Sequence, residues 1–250
     1  MKKIAIIPAR YSSTRFPGKP LALLAAKPVI QHVYEKVSQI ISETWVATDD
    51  ERIFNKVKEF GGKAVMTRAN HQSGTDRIQE AVSHIKTDAE IIINIQGDEP
   101  FVQHSQINTL CKLFEDPDTQ IGTIGKVFSD IEAVENPNSP KVIIDNHQFA
   151  MYFSRSPIPF IRGVEKKEWI NHFPFLKHIG IYAYRKNVLE KITQLPQSSL
   201  EIAESLEQLR WLQNGYKIKV GFTDVETIGI DTPAELEKAE QYLRSHPTDM

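Results

Sequence analysis

Short apolar runs alternate with amphipathic segments through the first half of the chain. Ile4–Pro8 is a continuous apolar run that predicts a buried strand, and Thr44–Thr48 and Glu90–Ile95 have the same character. Apolar positions recur at helical spacing between Val29 and Ile41, and a second helix is predicted from about Asp50 to Phe60. Strands alternating with helices of this length are typical of a parallel sheet covered by helices on both faces.

Capping residues mark two further helix starts. Ser73 and Asp76 fit a capping box, which predicts a helix that continues to Ile85. Thr232, followed by Pro233 at the first helical position, predicts the start of a final helix that ends near residue 244. A short strand is predicted at 63–66, between the second helix and the Ser73 cap. A pair of glycines directly before this strand ends the second helix.

The middle of the chain carries a different pattern. Strands are predicted there with few helices between them, at Gln120–Phe128, Lys141–Asp145, Phe149–Phe153 and His178–Tyr184. This predicts one domain, residues 1–250, with an inserted mixed or antiparallel extension at about 130–185 that acts as a substrate lid or a dimer arm. A helix from about Glu204 to Asn214 and a strand near Lys217–Phe222 return to the α/β pattern.

Composition restricts the class of protein. The 250 residues are 40% hydrophobic and 25% charged, as in ordinary globular proteins, and the net charge of −2 provides no field for nucleic acid or anionic membranes. The single cysteine, Cys111, excludes a disulfide within the chain, and its helical spacing with apolar neighbours predicts a packing role. No apolar stretch approaches the length of a membrane span, so we expect a soluble, cytoplasmic protein.

A cationic loop follows the first predicted strand. Arg10, Arg15 and Lys19 stand there among small hydroxyl residues, Ser12–Thr14. Arginine binds phosphate oxygens in a bidentate fork, and free backbone N–H groups of a loop add to such a cradle. The loop therefore predicts a polyphosphate site at the end of a buried strand.

Two acidic positions are candidates for a metal site. Asp98, in the segment Gln96–Pro100, directly follows the buried strand 90–95 and is expected at the same sheet edge as the cationic loop. Mg²⁺ commonly uses one or two carboxylates together with substrate phosphates, although Asp98 could instead cap the next helix. Asp231 is either a partner of the helix dipole beside Thr232 or the second carboxylate of the metal site.

A polar loop at Arg68–Thr75 has donors and acceptors suited to a nucleobase edge, and it is equally consistent with a solvated loop before a well-capped helix.

The histidines form no paired metal motif, and the chain has no GxSxG, Walker or GxGxxG sequence. These absences count against hydrolase, kinase and Rossmann dehydrogenase functions.

Seven motifs, in order along the chain, resemble the CMP-Kdo synthetase family (3-deoxy-manno-octulosonate cytidylyltransferases). They are IIPARYSSTRFPGKPL, MTRANHQSGTDR, NIQGDEP, YFSRSPIP, HIGIYAYR, LEQLR and GIDTPAELE. The resemblance implies a Rossmann-like, GT-A-like α/β nucleotidyltransferase fold in three layers, with a small dimerisation and sugar-binding extension. It implies CTP and Kdo as substrates, Mg²⁺ as cofactor, a homodimer, and a role in lipopolysaccharide biosynthesis.

The resemblance also implies roles for individual residues. Lys19, Asp98 and Asp231 are the implied catalytic residues, and the two aspartates are the implied metal ligands. The implied triphosphate loop contains Arg10, Ser13, Arg15 and Lys19. Residues expected near the cytosine or ribose are Arg68, Gln72, Ser73 and Gln96, and those expected around the sugar acid are Arg155, His178, Tyr182, Glu207 and Gln208.

Two alternatives remain at this stage. The first is a cytidylyltransferase for another acidic sugar, such as sialic acid or an 8-amino analogue of Kdo, because a few changed side chains could switch the acceptor. The second is a non-catalytic nucleotide-binding protein on the same fold. Retention of Lys19 and of both aspartates favours an enzyme.

Overall fold

A computed structural model describes residues 1–225 and 228–246. These residues form two compact units: Met1–Ile107 together with 228–246, and Asn108–Val225. The described strands are β1 (Lys3–Ala9), β2 (Leu23–Leu24), β3 (Lys27–Pro28), β4 (Thr44–Thr48), β5 (Ala64–Met66), β6 (Ile91–Asn94), β7 (Ile121–Val127), β8 (Lys141–Ile144), β9 (Ala150–Ser154), β10 (Leu176–Arg185) and β11 (Ile218–Phe222). The described α-helices are α1 (Val29–Ser38), α2 (Glu51–Glu59), α3 (Gly74–Ile85), α4 (His104–Lys112), α5 (Ile131–Glu135), α6 (Trp169–His172), α7 (Lys186–Ile192), α8 (Ser199–Glu204), α9 (Gln208–Gln213) and α10 (Pro233–Ser245).

The first unit is built on parallel strands. β1 lies between β4 and β6, and β5 extends the sheet beyond β4, with every one of these pairs parallel. Parallel neighbours need crossover connections, and α1, α2 and α3 supply them. Ile4, Ile6 and Ile7 of β1 are fully buried, as the continuous apolar run predicts for a central strand covered on both faces.

Both predicted caps are confirmed. Ser73 Oγ accepts a hydrogen bond from the backbone N–H of Asp76, and the Asp76 carboxylate accepts one from the N–H of Ser73, which completes a capping box at the start of α3. Thr232 caps α10 by accepting from the N–H of Glu235, with Pro233 at the first helical position. Each cap satisfies backbone donors that a helix start leaves unpaired.

The second unit has a mixed sheet. β7 pairs in parallel with β11 and antiparallel with β10, while β8 pairs antiparallel with β9 and β10. The four strands predicted in the middle of the chain are confirmed to within two residues at each end. The register of β10 against β7 shifts between Ile179 and Tyr182, which marks a β-bulge.

One predicted helix begins later than expected. The helix predicted from about Glu204 to Asn214 is α9, which begins at Gln208, because Ser205 adopts a left-handed conformation with φ of 50° and ends α8 at Glu204. The short helices α5 and α6 and the helix α7 were not predicted, since their few turns carry too little periodicity to stand out.

A hydrophobic cluster in the first unit anchors the segment that leads into α10. Leu24, Val29 and Phe101 pack there with Ile230 and with Leu243 of α10, and all are buried. Cys111 is buried in α4, as its spacing predicted. Among the described residues, no helix combines the length and the apolar character needed to cross a membrane.

Candidate functional site

The loop that leaves β1 is held in a defined conformation. Gly18 has a φ of 73°, which side-chain-bearing residues rarely adopt, and its N–H donates to the carbonyl of Tyr11 over 2.9 Å. The guanidinium of Arg52 lies 3.3 Å from the centre of the Tyr11 ring, and Asp50 binds that guanidinium through both carboxylate oxygens. These contacts brace the loop just before Lys19 begins a 3₁₀ turn.

Lys19 joins the two predicted carboxylates. Its Nζ lies 2.5 Å from Oδ2 of Asp98 and 2.9 Å from Oδ1 of Asp231, and only 13% of its side chain is exposed. Arg15 approaches the other oxygen of Asp231 at 3.0 Å. The family resemblance implied that these four groups belong to one site, and the structure brings them together.

The charges of this cluster support one another. Burial alone would lower the pKa of Lys19, but the attraction and hydrogen bonds of Asp98 and Asp231 outweigh burial and raise it. Burial would raise the pKa of Asp231, yet Lys19 and then Arg15 lower it. The lysine is therefore a stable cation and Asp231 a stable anion at neutral pH.

Backbone geometry sets the two aspartates side by side. The N–H of Ile230 donates to the carbonyl of Asp98 over 2.9 Å, so the segment before α10 is tied to the segment after β6. Gly97 allows the close approach to β1, because a Cβ there would lie 2.9 Å from the carbonyl oxygen of Pro8. The N–H of Asp231 is bound by the Glu235 carboxylate at 2.8 Å, which leaves the side chain of Asp231 to face Lys19.

The N-terminus of α3 lies at the same cavity. The cavity has a volume of about 420 Å³. Its lining residues are Pro8, Ala9, Arg10, Ser13, Thr14, Arg15, Lys19, Pro20, His71, Gln72, Ser73, Gly74, Arg77, Gln96, Gly97, Asp98 and Asp231. A helix of this length presents positive partial charge at its N-terminus, which favours an anion there.

The lining carries more positive than negative charge. Four of its side chains are cationic, Arg10, Arg15, Lys19 and Arg77, against the two carboxylates. Such a cavity attracts a polyphosphate, and its carboxylates lie where a cation that accompanies phosphates could be shared. The geometry is suited to phosphate chemistry.

Arg77 is a lining residue that the sequence reasoning missed. It is 5% exposed, and its Nη1 lies 3.2 Å from Oδ1 of Asp49 and 2.7 Å from Oγ1 of Thr67. Arg77 lies beside Ile78 and Ala81, which are fully buried on α3. A charged residue on the apolar face of a predicted helix is rarely buried without a partner, and this pattern could have marked Arg77 as a candidate.

Among the described residues that were predicted to bind the nucleotide, only Arg68 is not part of the cavity lining. Its Nε lies 3.3 Å from Glu80, and its backbone N–H donates to the same carboxylate. His71 also contacts Glu80 and does line the cavity. Gln96 lines the cavity too, and its Nε2 donates to Oδ1 of Asn94 over 3.1 Å.

The residues predicted around the sugar acid all lie in the second unit. The side chain of Arg155 donates to backbone carbonyls there, from Nε to Glu204 at 2.6 Å, from Nη1 to Pro137 at 2.9 Å and from Nη2 to Ser205 at 3.2 Å. These hydrogen bonds give Arg155 a structural role at the C-terminal end of α8.

Three of the predicted sugar residues are buried within the second unit. His178 and Tyr182 have ring centres 5.4 Å apart, and burial lowers the pKa of His178 to about 3. Among the described residues, the hydroxyl of Tyr182 and Nε2 of Gln208 are buried without a hydrogen-bond partner. Buried polar atoms of this kind are unusual, and a ligand that supplies their hydrogen bonds would account for them. Glu207 is half-buried and accepts from Arg210 over 3.4 Å.

The parallel α/β unit, with a cationic strand-end loop facing paired carboxylates, defines a nucleotidyltransferase. A family model described as cytidylyltransferase matches residues 4–218. The 3-deoxy-manno-octulosonate cytidylyltransferases of Phocaeicola vulgatus and Bacteroides thetaiotaomicron are 60% and 59% identical to this chain, over 98% of the chain and 98% and 99% of the relatives.

A solved structure is similar over nearly the same extent. CMP:2-keto-3-deoxy-manno-octonic acid synthetase in complex with CTP superposes with a TM-score of 0.91 at 44% identity, covering 98% of this chain and all of that one. The chain belongs to the cytidylyltransferase family, and within it to the 3-deoxy-manno-octulosonate cytidylyltransferases. The fold class and the family that the motifs implied are confirmed.

Proposed function

We propose that this enzyme transfers CMP from CTP to the anomeric hydroxyl of 3-deoxy-D-manno-octulosonate (Kdo). The products are CMP-Kdo, which activates Kdo for lipopolysaccharide biosynthesis, and pyrophosphate. The contact of Lys19 with both Asp98 and Asp231, inside a cavity with excess positive charge, carries this proposal. The identity with the relatives supports the choice of nucleotide and sugar.

The chain's own cations bind the triphosphate. Arg10, Arg15 and Lys19 lie at the cavity with Ser13, so they can neutralise the phosphates and the charge that grows on the departing pyrophosphate. The N-terminus of α3, with Gln72 and Ser73, adds favourable partial charge at the same cavity. Gln96 and Arg68 are proposed to contact the cytosine or ribose.

Asp98 and Asp231 fit a divalent cation. Their carboxylate oxygens converge on one cationic nitrogen, so they can share a single positive centre, and oxygen donors are the ligands that Mg²⁺ prefers. When bound, Mg²⁺ would supply charge neutralisation and a more acidic bound hydroxyl. We therefore assign both aspartates as its protein ligands.

The reaction forms one bond and breaks one. The anomeric oxygen of Kdo attacks the α-phosphorus of CTP, the bond from that phosphorus to the β-phosphate oxygen breaks, and the hydroxyl proton passes to solvent. Positioning and charge stabilisation dominate such transfers, so the protein needs no covalent intermediate. Lys19 serves as the central cation of this arrangement.

The second unit is proposed to bind the sugar acid. His178, Tyr182 and Gln208 have buried polar groups, and Arg155 and Glu207 supply a cation and an anion. A sugar acid carries hydroxyls and one carboxylate, which match these groups chemically. We further propose a cytoplasmic homodimer in which an extension at about 130–185 provides the dimer arm.

The test is a direct assay of the full chain. Purified protein is incubated with CTP, Kdo and Mg²⁺, pyrophosphate release is followed, and CMP-Kdo is identified by mass spectrometry. Sialic acid and 8-amino Kdo are assayed in parallel. Preference for Kdo supports the proposal, and preference for another acid replaces the acceptor while retaining the transfer. Binding of CTP without any pyrophosphate release contradicts the function.

A further inference from the structure

The side chain of Thr123 sits at the bulge in β10. Thr123 is on β7 and is fully buried. Its partner in the register is Tyr182, whereas the adjacent Ile124 pairs with Ile179, so Gly180 and Ile181 have no opposite residue on β7. Carbonyl groups at a bulge lose regular ladder partners. Thr123 Oγ1 lies 2.9 Å from the carbonyl oxygen of Ile181 and 3.2 Å from that of Ile179.

The bulge brings two proposed sugar residues together. In an unbroken strand, residues four positions apart are separated by about 13 Å. The ring centres of His178 and Tyr182 are only 5.4 Å apart, and the bulge lies between these two residues on β10. The ring of Phe153 also contacts the imidazole edge-on, with ring centres 4.9 Å apart.

Thr123 also contacts the imidazole, and the direction of that hydrogen bond can be deduced. Nε2 of His178 lies 3.1 Å from Thr123 Oγ1. A threonine hydroxyl has one proton to donate, and carbonyl oxygens can only accept. Because two carbonyl oxygens lie within reach of Oγ1, the hydroxyl proton is directed to them. Oγ1 must then accept from His178, which requires a proton on Nε2.

We infer that Thr123 is a positioning residue that holds His178 as its Nε2-protonated neutral tautomer, leaving Nδ1 as an acceptor for a hydroxyl of the sugar acid. The sugar contact rests on the proposed function. Among the described residues, no protein group donates to Nδ1, which agrees with its availability to a ligand. The burial that lowers the pKa of His178 keeps the ring neutral as well.

The tautomer can be read directly in the full-length protein. Long-range ¹H–¹⁵N NMR spectra of protein labelled with ¹⁵N-histidine distinguish the two neutral tautomers, and His178→Gln identifies the His178 signals among the eight histidines. The wild type should show a protonated Nε2. Thr123→Val, which removes the acceptor, should give a mixture of tautomers, and Thr123→Ser, which keeps the hydroxyl, should restore the wild-type pattern. A protonated Nδ1 in the wild type overturns the inference whether or not any variant folds.

Kinetics test the consequence for the sugar. Thr123→Val should raise KM for Kdo about 5- to 10-fold, the loss expected for one misdirected hydrogen bond, with kcat and KM for CTP within about twofold. Thr123→Ser should restore KM. A changed tautomer with an unchanged KM for Kdo refutes the role in sugar binding. If the wild type forms no CMP-Kdo, the proposed function fails, while the NMR result still decides the tautomer.

Discussion

The backbone N–H of Ile230 donates to the carbonyl of Asp98, and this single 2.9 Å bond places the two carboxylates of the site next to each other. Ile230 is also fully buried in the cluster that anchors α10. The side chain and the backbone of Ile230 thus have different roles. The side chain stabilises the unit, and the N–H holds the backbone just before Asp231 against Asp98.

Ile230→Ala should destabilise the protein by about 2 to 5 kcal/mol, because it opens a cavity in a packed cluster. Urea unfolding followed by circular dichroism measures this. Leu23→Ala is the matched control, since Leu23 is 58% exposed in the same unit and its loss should change stability by no more than about 0.5 kcal/mol. Equal effects of the two variants would show that Ile230 does not anchor the segment.

Lys19→Ala should lower kcat by about 10²- to 10³-fold, as expected for loss of a preorganised charge at the reacting phosphates. Steady-state pyrophosphate release gives the rate. Lys27→Ala removes an exposed lysine paired with Glu35 in the same unit and should leave the rate unchanged. A Lys19→Ala enzyme with a normal rate would refute the assignment of Lys19.

Asp98→Asn and Asp231→Asn should each lower activity on the order of 100-fold and raise the Mg²⁺ concentration needed for half-maximal rate, because an amide is a weaker ligand for a hard cation. Titration of the rate with Mg²⁺ provides both values. Asp88→Asn, at an exposed ion pair with Lys2, is the control. An unchanged Mg²⁺ dependence in either site variant would exclude that aspartate as a ligand.

Arg155→Lys should reduce the free energy of unfolding by about 1 to 3 kcal/mol, since a lysine cannot reach three backbone carbonyls at once. Chemical denaturation measures the change, with the exposed Arg162→Lys as the control. A separate rise in KM for Kdo would add a sugar contact to this structural role. Wild-type stability would mean that the three carbonyl bonds contribute nothing.

The free energy of unfolding should fall as the pH drops below 6.5, in part because of His178. The unfolded chain takes up this proton with a pKa near 6.5, whereas burial keeps the folded pKa at about 3. Below pH 6.5 the unfolded state therefore binds more protons, and stability declines by up to about 1.4 kcal/mol per pH unit down to pH 3.

Urea unfolding at pH 7 and at pH 5.5 measures the contribution of His178. The difference between the two pH values should be about 1 kcal/mol smaller in His178→Gln than in the wild type. His172→Gln, at an exposed position, should behave like the wild type. Equal pH dependence in all three proteins would show that His178 is not buried in its neutral form.

Local signals predicted much of the first unit. The caps at Ser73 and Thr232 were recognised because capping depends on residues three positions apart, and β1 was recognised because it is buried on both faces. The start of the helix predicted from about Glu204 was wrong, since a left-handed residue other than glycine, here Ser205, leaves no clear sequence signal.

The residues of the candidate site could be predicted from the sequence, but the contacts between them could not. Lys19, Asp98 and Asp231 could be named from motifs, but their common contact depends on how the sheet joins distant segments. Arg77 was missed because its role follows from burial beside Asp49, which only the fold establishes. The hydroxyl of Thr123 contacts the bulge in β10. The residue pattern of that strand does not indicate a bulge, so this contact could not be predicted.

The position of Asp231 in the chain sets the order in which the site is completed. Lys19 is translated 212 residues before it. A nascent chain lacks the second carboxylate until synthesis has passed α9 and β11. The same late segment supplies Ile230 and Leu243 to the buried cluster, so the first unit gains its last core residues and the site its second carboxylate at the same stage of synthesis.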